Sequence, residues 1–510
     1  MKTSKKIVTK SKSQSLKLYE KQLEIKYQNL GFQDIPPLLA ADVYTIDSSV
    51  SEAEDKAADA PLEKADPLWE KAIQKAKKAE EVWDQIAKMS VLDAYAAKNR
   101  RDRWAAKIIS LEVLRMNTKV QIAKSKTATL SHKIVAEKIT EAEIILLWNE
   151  VLQKARETIA ICKSLVGAYT AGRDQACEEY KQAWMEDLKY YEHIKVIWTA
   201  NFLFFEAMKE ANLALLARVK AFHRAKTEEE ICALWTEAVK KAQHVDRTWE
   251  DALTASREGY NNSPREFKQD WVTNIAKIEE YKIFTNLNVI YCEAEKEGEI
   301  TLHAWNKMAD LIKTESCLDT LITLWTDVVQ KAKKAEVCWN NVVENFSKKQ
   351  HKISKELKTT MSNNLPNFKQ KKFDITFILL SSDISRITTL AQLAYTKAID
   401  SFDEGMLSEN IADAGPSLWD EVFQKAKEAE NAFDNFIEWA NKEYSQASSD
   451  QKTVITKLLE ACKKRKDSWL DMVGSWKENR NEIIKTFDDY AGLQARKDSK
   501  QEKPKKRWFW

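Results

Sequence analysis

A chain of 510 residues is too long for one compact core and on size alone would divide into roughly three or four domains. Its 44% hydrophobic and 31% charged residues exclude a disordered chain, and only 9 Gly and 8 Pro exclude a turn-rich β protein. The net charge of +3 is uneven: the ends carry +6 (residues 1–17) and +5 (residues 496–507), leaving −8 on the rest, which argues against a fold built around a nucleic-acid groove.

Residues 1–64 read as a flexible basic segment. No apolar stretch follows the N-terminal charges, so the segment is not a Sec-type signal. The longest apolar-rich stretch, residues 194–208, is interrupted by Lys195, Thr199, Asn201 and Glu206. It falls short of the roughly 20 residues a bilayer requires, so no transmembrane helix is expected.

From residue 65 onward a Leu-Trp dipeptide opens the same signature five times, at Trp69, Trp148, Trp235, Trp325 and Trp419, with gaps of 79, 87, 90 and 94 residues. Counting each Trp as zero, positions 3 and 4 are apolar and position 7 is Ala76, Ala155, Ala242, Ala332 or Ala426. Position 14 is Trp83, Cys162, Trp249, Trp339 or Phe433. This is a heptad seam, and on a helix it forms one apolar stripe in which large residues bracket a small one. The Trp, Ala and second large residue are therefore expected to pack in the repeat core.

Start signals precede the stripe. Asp66-Pro67 with Glu70 suggests an N-cap and a capping-box acid, Thr140 with Glu143 and Thr227 with Glu230 repeat the box, Ser316 with Asp319 does so more weakly, and Gly415-Pro416-Ser417 breaks the chain before the fifth copy. The first helix of each unit should run roughly 22 to 30 residues.

A second helix follows, marked by Tyr180-Lys181-Gln182-Ala183-Trp184 and Phe267-Lys268-Gln269-Asp270-Trp271, with Trp104 near the same register. In the fourth unit Phe368-Lys369-Gln370 is displaced behind Asn363-Asn364-Leu365-Pro366, which reads as an insertion between helices; Trp469 and Trp476 mark the second arm of the fifth. After the apparent break at Glu297-Gly298-Glu299, residues 300–313 suggest a third helix. The expected fold is all-α: an elongated array of about five degenerate three-helix units without β-sheet. Unit boundaries fall at 65–138, 139–225, 226–313, 314–414 with the insertion, and 415–492, before a basic aromatic tail at 493–510.

This pattern resembles tandem α-helical repeat proteins, either tetratricopeptide-like solenoids or spectrin-like three-helix arrays. The unit is more than twice a tetratricopeptide unit and lacks the W-x2-L-G-x2-Y pattern. Spectrin-like units also place a Trp in the first helix but are longer. The resemblance implies a scaffold or protein-binding role and supplies no functional residue.

Lys75, Lys154, Lys241, Lys331 and Lys425 recur one residue before the seam Ala. A basic ladder for an acidic ligand is one reading; the preferred one pairs four of them with Glu150, Glu237, Asp327 and Glu421, four residues earlier. Trp198, Trp305 and Trp439 share no register and are the better candidates for exposed anchors, although burial is the preferred reading for them too.

The six histidines (His132, His193, His223, His244, His303, His351) are scattered, with no HExxH and no Gly-rich phosphate loop. No catalytic residue, cofactor, metal site or small-molecule substrate is inferred, and the protein is read as a non-enzyme. Seven unpaired-looking cysteines without a CxxC read as small buried residues in the cytoplasm or another reducing compartment, and export without a classical signal is compatible with the sequence.

Protein partners are the expectation. An alternative is peripheral attachment to an anionic membrane through Lys505, Lys506, Arg507, Trp508, Phe509 and Trp510, where cations would meet headgroups and rings the headgroup boundary. Nucleic-acid association through the basic ends is a third reading, weakened by the acidic body.

Overall fold

The structure is a computed structural model and describes residues 37–89, 94–314, 317–349, 355–408, 415–447 and 449–501. All regular structure among them is helical, as the all-α class requires. In chain order the helices are α1 (Pro37–Asp59), α2 (Leu62–Met89), α3 (Ala94–Thr127), the short α4 (Leu130–Val135), α5 (Glu141–Gln175) and α6 (Glu178–Arg224). Then come α7 (Glu228–Asn262), α8 (Lys268–Leu311), α9 (Leu318–Lys349), α10 (Lys355–Ser408), α11 (Gly415–Gln446) and α12 (Ser449–Gln501).

Each signature Trp lies in the first helix of a pair: α2, α5, α7, α9 or α11. From the second unit on, the units are helix pairs rather than the three-helix units expected, and only the first adds a short third helix, α4. Residues 300–311 continue α8 without a break at Gly298, and Pro366 lies inside α10, so the fourth unit takes up its insertion as helix length. The first helices span 28 to 35 residues; α2 falls within the expected range and the other four exceed it.

Part of the N-terminal stretch expected to be flexible is ordered. Helix α1 occupies 37–59, with Val50, Ala53 and Ala57 buried against Trp69, Ala72 and Ile73 of α2. Because α2 begins at Leu62, Asp66 is not its N-cap but an ion-pair partner of Arg115 at 2.7 Å, and Pro67 is internal. The boxes at Thr140 and Thr227 form. Thr140 Oγ1 accepts from Glu143 N at 3.3 Å while the Glu143 carboxylate accepts from Thr140 N at 2.8 Å, and Thr227 with Glu230 does the same at 3.2 Å each way. At α9, Ser316 lies outside the described residues, and the Cys317 side chain meets the backbone N–H groups of Asp319 and Thr320.

The described helices form two compact units. One takes the residues up to Val219 together with His244–Lys282, the other Lys220–Gln243 and those from Ile283 onward; α6, α7 and α8 contribute to both.

In the first unit α1 packs on α2, α2 on α3, and α3 on α5. The Trp69 indole donates to Thr118 Oγ1 at 3.0 Å, joining α2 to α3. Trp148, Leu152, Ala155, Cys162, Leu165 and Tyr169 of α5 form a core with Trp184, Tyr191 and Phe204 of α6 and Trp249 of α7. Each such indole buries about 200 Å². That is worth on the order of 5 kcal/mol before ordering costs at roughly 25 cal/mol per Å².

In the second unit α9 packs on α10, α10 on α11, and α11 on α12. Both units join successive second helices through residues about one repeat apart in sequence. In the first, Trp184 meets Asn99, Arg103 meets Asp187 and Tyr191 meets Ser110, at separations of 85, 84 and 81. In the second, Gln451 meets Gln370, Arg465 meets Ser385 and Asn479 meets Tyr395, at 81, 80 and 84. Residues one sequence period apart are thus neighbours on adjacent second helices within each unit.

Candidate functional site

The signature residues lie inside the packing. Trp69, Ala76, Trp148, Ala155, Trp235, Ala242, Trp249, Trp325, Ala332, Trp339, Trp419, Ala426 and Phe433 are buried; Trp83 is half-buried beneath Arg100, whose guanidinium lies 5.6 Å from its ring centroid. None of the unmatched tryptophans is exposed. Trp198 is buried, Trp305 packs on Trp325 at 5.7 Å, and Trp439 stacks on Phe373 at 5.0 Å. The tail residues Lys505, Lys506, Arg507, Trp508, Phe509 and Trp510 lie outside the described residues.

The lysine ladder keeps only part of its expected pairing. Lys241 meets Glu237 at 3.4 Å and Lys331 meets Asp327 at 2.9 Å, each four residues earlier. Lys154 and Lys425 instead pair with Glu157 and Glu428, three residues later, both at 2.8 Å. Glu150 is taken by Lys126 of α3 at 2.7 Å. Lys75 donates to the Ser49 carbonyl of α1 at 3.1 Å, and Lys331 also reaches Glu228 of α7 at 2.6 Å, so these two ladder residues brace neighbouring helices.

Two shallow surface concavities lie in the second unit, near the start of α7. A shallow depression of about 620 Å³ runs along α7, lined by Glu229, Cys232, Ala233, Thr236, Glu237 and Lys240. Cys232 also borders a second hollow of about 300 Å³, beside Lys296, Glu297, Ile300, Asp327, Lys331 and Lys334. Local sequence explains the charge here. The Thr227 box starts α7, and Glu228, Glu229 and Glu230 complement the positive end of its dipole. Glu228 then reaches Lys331, with His303 Nδ1 3.8 Å from its other oxygen.

Helix α8 supplies the wall through alternating acids in Glu293-Ala294-Glu295-Lys296-Glu297-Gly298-Glu299. Residues two apart on a helix point in opposed directions and residues four apart share a face. Glu295 and Glu299 accordingly face Lys371 of α10 at 3.2 and 3.8 Å, while Glu297 meets Lys334 of α9 at 2.9 Å. Tyr291 also donates to Glu295 at 2.6 Å. Burial pushes the Glu299 carboxyl up, and the hydrogen bond from Lys334 to Glu297 holds that ammonium above its usual value. Gly298 lies between these pairs because Trp339 comes in against it: a methyl group there would be 3.0 Å from the indole nitrogen. The apparent helix break is therefore a close-approach site inside a helix. Its sequence signal was the alternation of acids around a glycine.

No protein-family model matches the chain, and no curated protein does. Among solved structures, a circular tandem repeat protein with novel repeat topology and enhanced subunit contact surfaces is similar at 12% identity, with 90% of this chain and 99% of that one covered and a TM-score of 0.14. Agreement of that size carries no argument, and the helix pairs stand on their own. The chain is a helical-repeat protein.

Three of the seven cysteines, Cys177, Cys232 and Cys317, are exposed, which corrects the reading of all seven as buried. Cys162 and Cys462 are buried, and burial pushes their thiols up to about 12 and about 11. No group of three or more His, Cys, Asp or Glu placed to hold a metal ion occurs among the described residues. No described helix is long and apolar enough to cross a membrane.

Proposed function

We propose that this chain is a non-enzymatic scaffold that binds other proteins through variable surface on its repeats, with the depression along α7 as one contact site. The carrying observation is the division of labour among side chains. The strictly recurring Trp and Ala are buried, whereas Cys232 and Lys240, the latter where the other four copies carry Gln74, Gln153, Gln330 and Gln424, are peculiar to one copy and line open surface. Repeat proteins present binding surface in this way, with packing supplied by what recurs and specificity by what varies.

The test is recovery of partners on the immobilised full chain, compared with a Glu229→Lys, Glu237→Lys, Lys240→Glu variant that melts like the parent. Loss of a specific set supports the site; identical recovery removes it, and an inert parent removes the scaffold reading.

A second reading rests on the composition of residues 503–510, where Lys505, Lys506 and Arg507 precede Trp508, Phe509 and Trp510. Cations beside indoles suit an anionic membrane surface, though so short a segment would bind weakly alone. Flotation with anionic liposomes that is absent, or unchanged on deleting 503–510, rules this reading out.

A further inference from the structure

Helix α3 is strongly basic, and most of its cations have carboxylate partners. Arg101 meets Asp84 at 3.1 Å, Arg103 meets Asp187 at 2.9 Å, Lys107 meets Glu54 at 2.5 Å, Arg115 meets Asp66 at 2.7 Å and Lys126 meets Glu150 at 2.7 Å. Lys124 departs from this pattern. It is half-buried and has no acidic partner among the described residues; its ammonium lies 5.8 Å from the centroid of Phe204 and 5.3 Å from that of Phe205.

A second lysine comes to the same ring from another helix. Lys277 of α8, exposed to solvent, places its ammonium 5.6 Å from the Phe204 centroid and 6.0 Å from that of Tyr281, again without a described acidic partner. The rings are held rigidly: Trp249 stacks on Tyr281 at 5.0 Å and 8°, and Phe204 meets Trp249 edge-on at 5.2 Å. Burial and the neighbouring Lys277 hold the Lys124 ammonium below its usual value.

One ammonium over a ring is a satisfied cation–π pair. Two drawn to one ring repel each other, and the half-buried one has also given up much of its water. An anion between them would relieve both costs. We propose that Lys124 and Lys277 form a binding site for a doubly charged oxyanion, a phosphate or phosphomonoester, seated beside Phe204, Trp249 and Tyr281. Two negative charges match two ammoniums, and lysine offers rotatable donors on a flexible stem. The solvent exposure of Lys277 provides the way in.

The test is calorimetric titration of the full chain at pH about 8, where a phosphomonoester carries close to two charges, with inorganic phosphate and O-phosphoserine in separate arms at matched ionic strength. Saturable binding of either probe is expected. Lys124→Met and Lys277→Met should each weaken it roughly tenfold or more, since each removes a charge-assisted hydrogen bond. Lys126→Met, whose ammonium is already held by Glu150, should leave it unchanged. Binding of inorganic phosphate alone identifies a free-anion site, and binding of O-phosphoserine a phosphomonoester site. No saturable binding of either probe, or equal weakening by Lys126→Met, overturns the proposal. Melting in chloride checks that each variant is folded, with Lys124→Gln as the substitute if Lys124→Met is not.

Discussion

Gly172 of α5 lies directly against the indole of Trp184 of α6: a methyl group built on it would come within 2.5 Å of Cζ3. The same relationship recurs one repeat later, where a methyl on Gly259 would come within 2.4 Å of Trp271. Each glycine follows its signature Trp by the same number of residues, and so does each indole. Five residues before Gly172 on the same helix, Gly167 is exposed and has no atom within 4 Å of a built methyl. Gly167→Ala should therefore stabilise by up to about 1 kcal/mol from helix propensity. Gly172→Ala should destabilise by about 1–3 kcal/mol, the overpacking cost exceeding that gain. Urea midpoints of the two variants moving in the same direction would refute this.

A second prediction concerns pH. Ser263 Oγ donates to the Gly259 carbonyl at 2.6 Å and accepts from the Trp271 indole at 2.8 Å, so its single proton is committed. His193 Nδ1, 3.0 Å from that oxygen, must then be the donor, which leaves Nε2 as an unprotonated, buried nitrogen without a partner. Burial lowers the His193 pKa, and Asp270 opposes the shift only in part. Below the unfolded value near 6.5 the unfolded chain binds a proton that the folded chain resists, so this contribution is full above that pH and lost as pH falls. The urea midpoint of the parent should drop more steeply on acidification than that of His193→Gln. Parallel profiles would count against it.

The seam was legible because a heptad stripe depends only on spacing, and Thr140 and Thr227 were legible because a capping box is local. Helix lengths were not. Gly298 and Pro366 are helix breakers by propensity, yet the packing of Trp339 against Gly298 and the long flanking stretches of α8 and α10 override a penalty of a few kcal/mol at most. Exposure of Cys232 and the split pairing of Lys154 and Lys425 depend on which neighbouring helix lies alongside, which no single helical period records.

The hydrogen bond from Trp184 to Asn99, 2.8 Å long and buried, offers a direct measure of how one repeat holds the next. Asn99→Leu leaves the indole N–H without its acceptor and should cost about 1–3 kcal/mol. With Trp184→Phe as the partner change, a double-mutant cycle should return a coupling of roughly 0.5–3 kcal/mol. Additive effects within experimental scatter would mean that the bond contributes nothing specific.

The last prediction is chemical. Cys317 is exposed at the start of α9, and hydrogen bonding from the Thr320 backbone N–H and side chain, together with the Asp319 N–H, holds its thiol below the usual range. A helix N-terminus favours the anion, so the thiolate fraction of Cys317 should rise at lower pH than that of an ordinary thiol. Cys162 and Cys462 are buried, with thiols pushed up to about 12 and about 11, and should remain unreacted in the folded chain. Alkylation of the native protein with iodoacetamide across a pH series, read by peptide mass spectrometry, should label Cys317 increasingly with pH while Cys162 and Cys462 stay unlabelled. Moving the thiol away from those amide groups by Cys317→Ser with Leu318→Cys should shift labelling at that end of the helix to higher pH. An unchanged profile would show that the amide groups at the start of α9 do not set the thiol's reactivity.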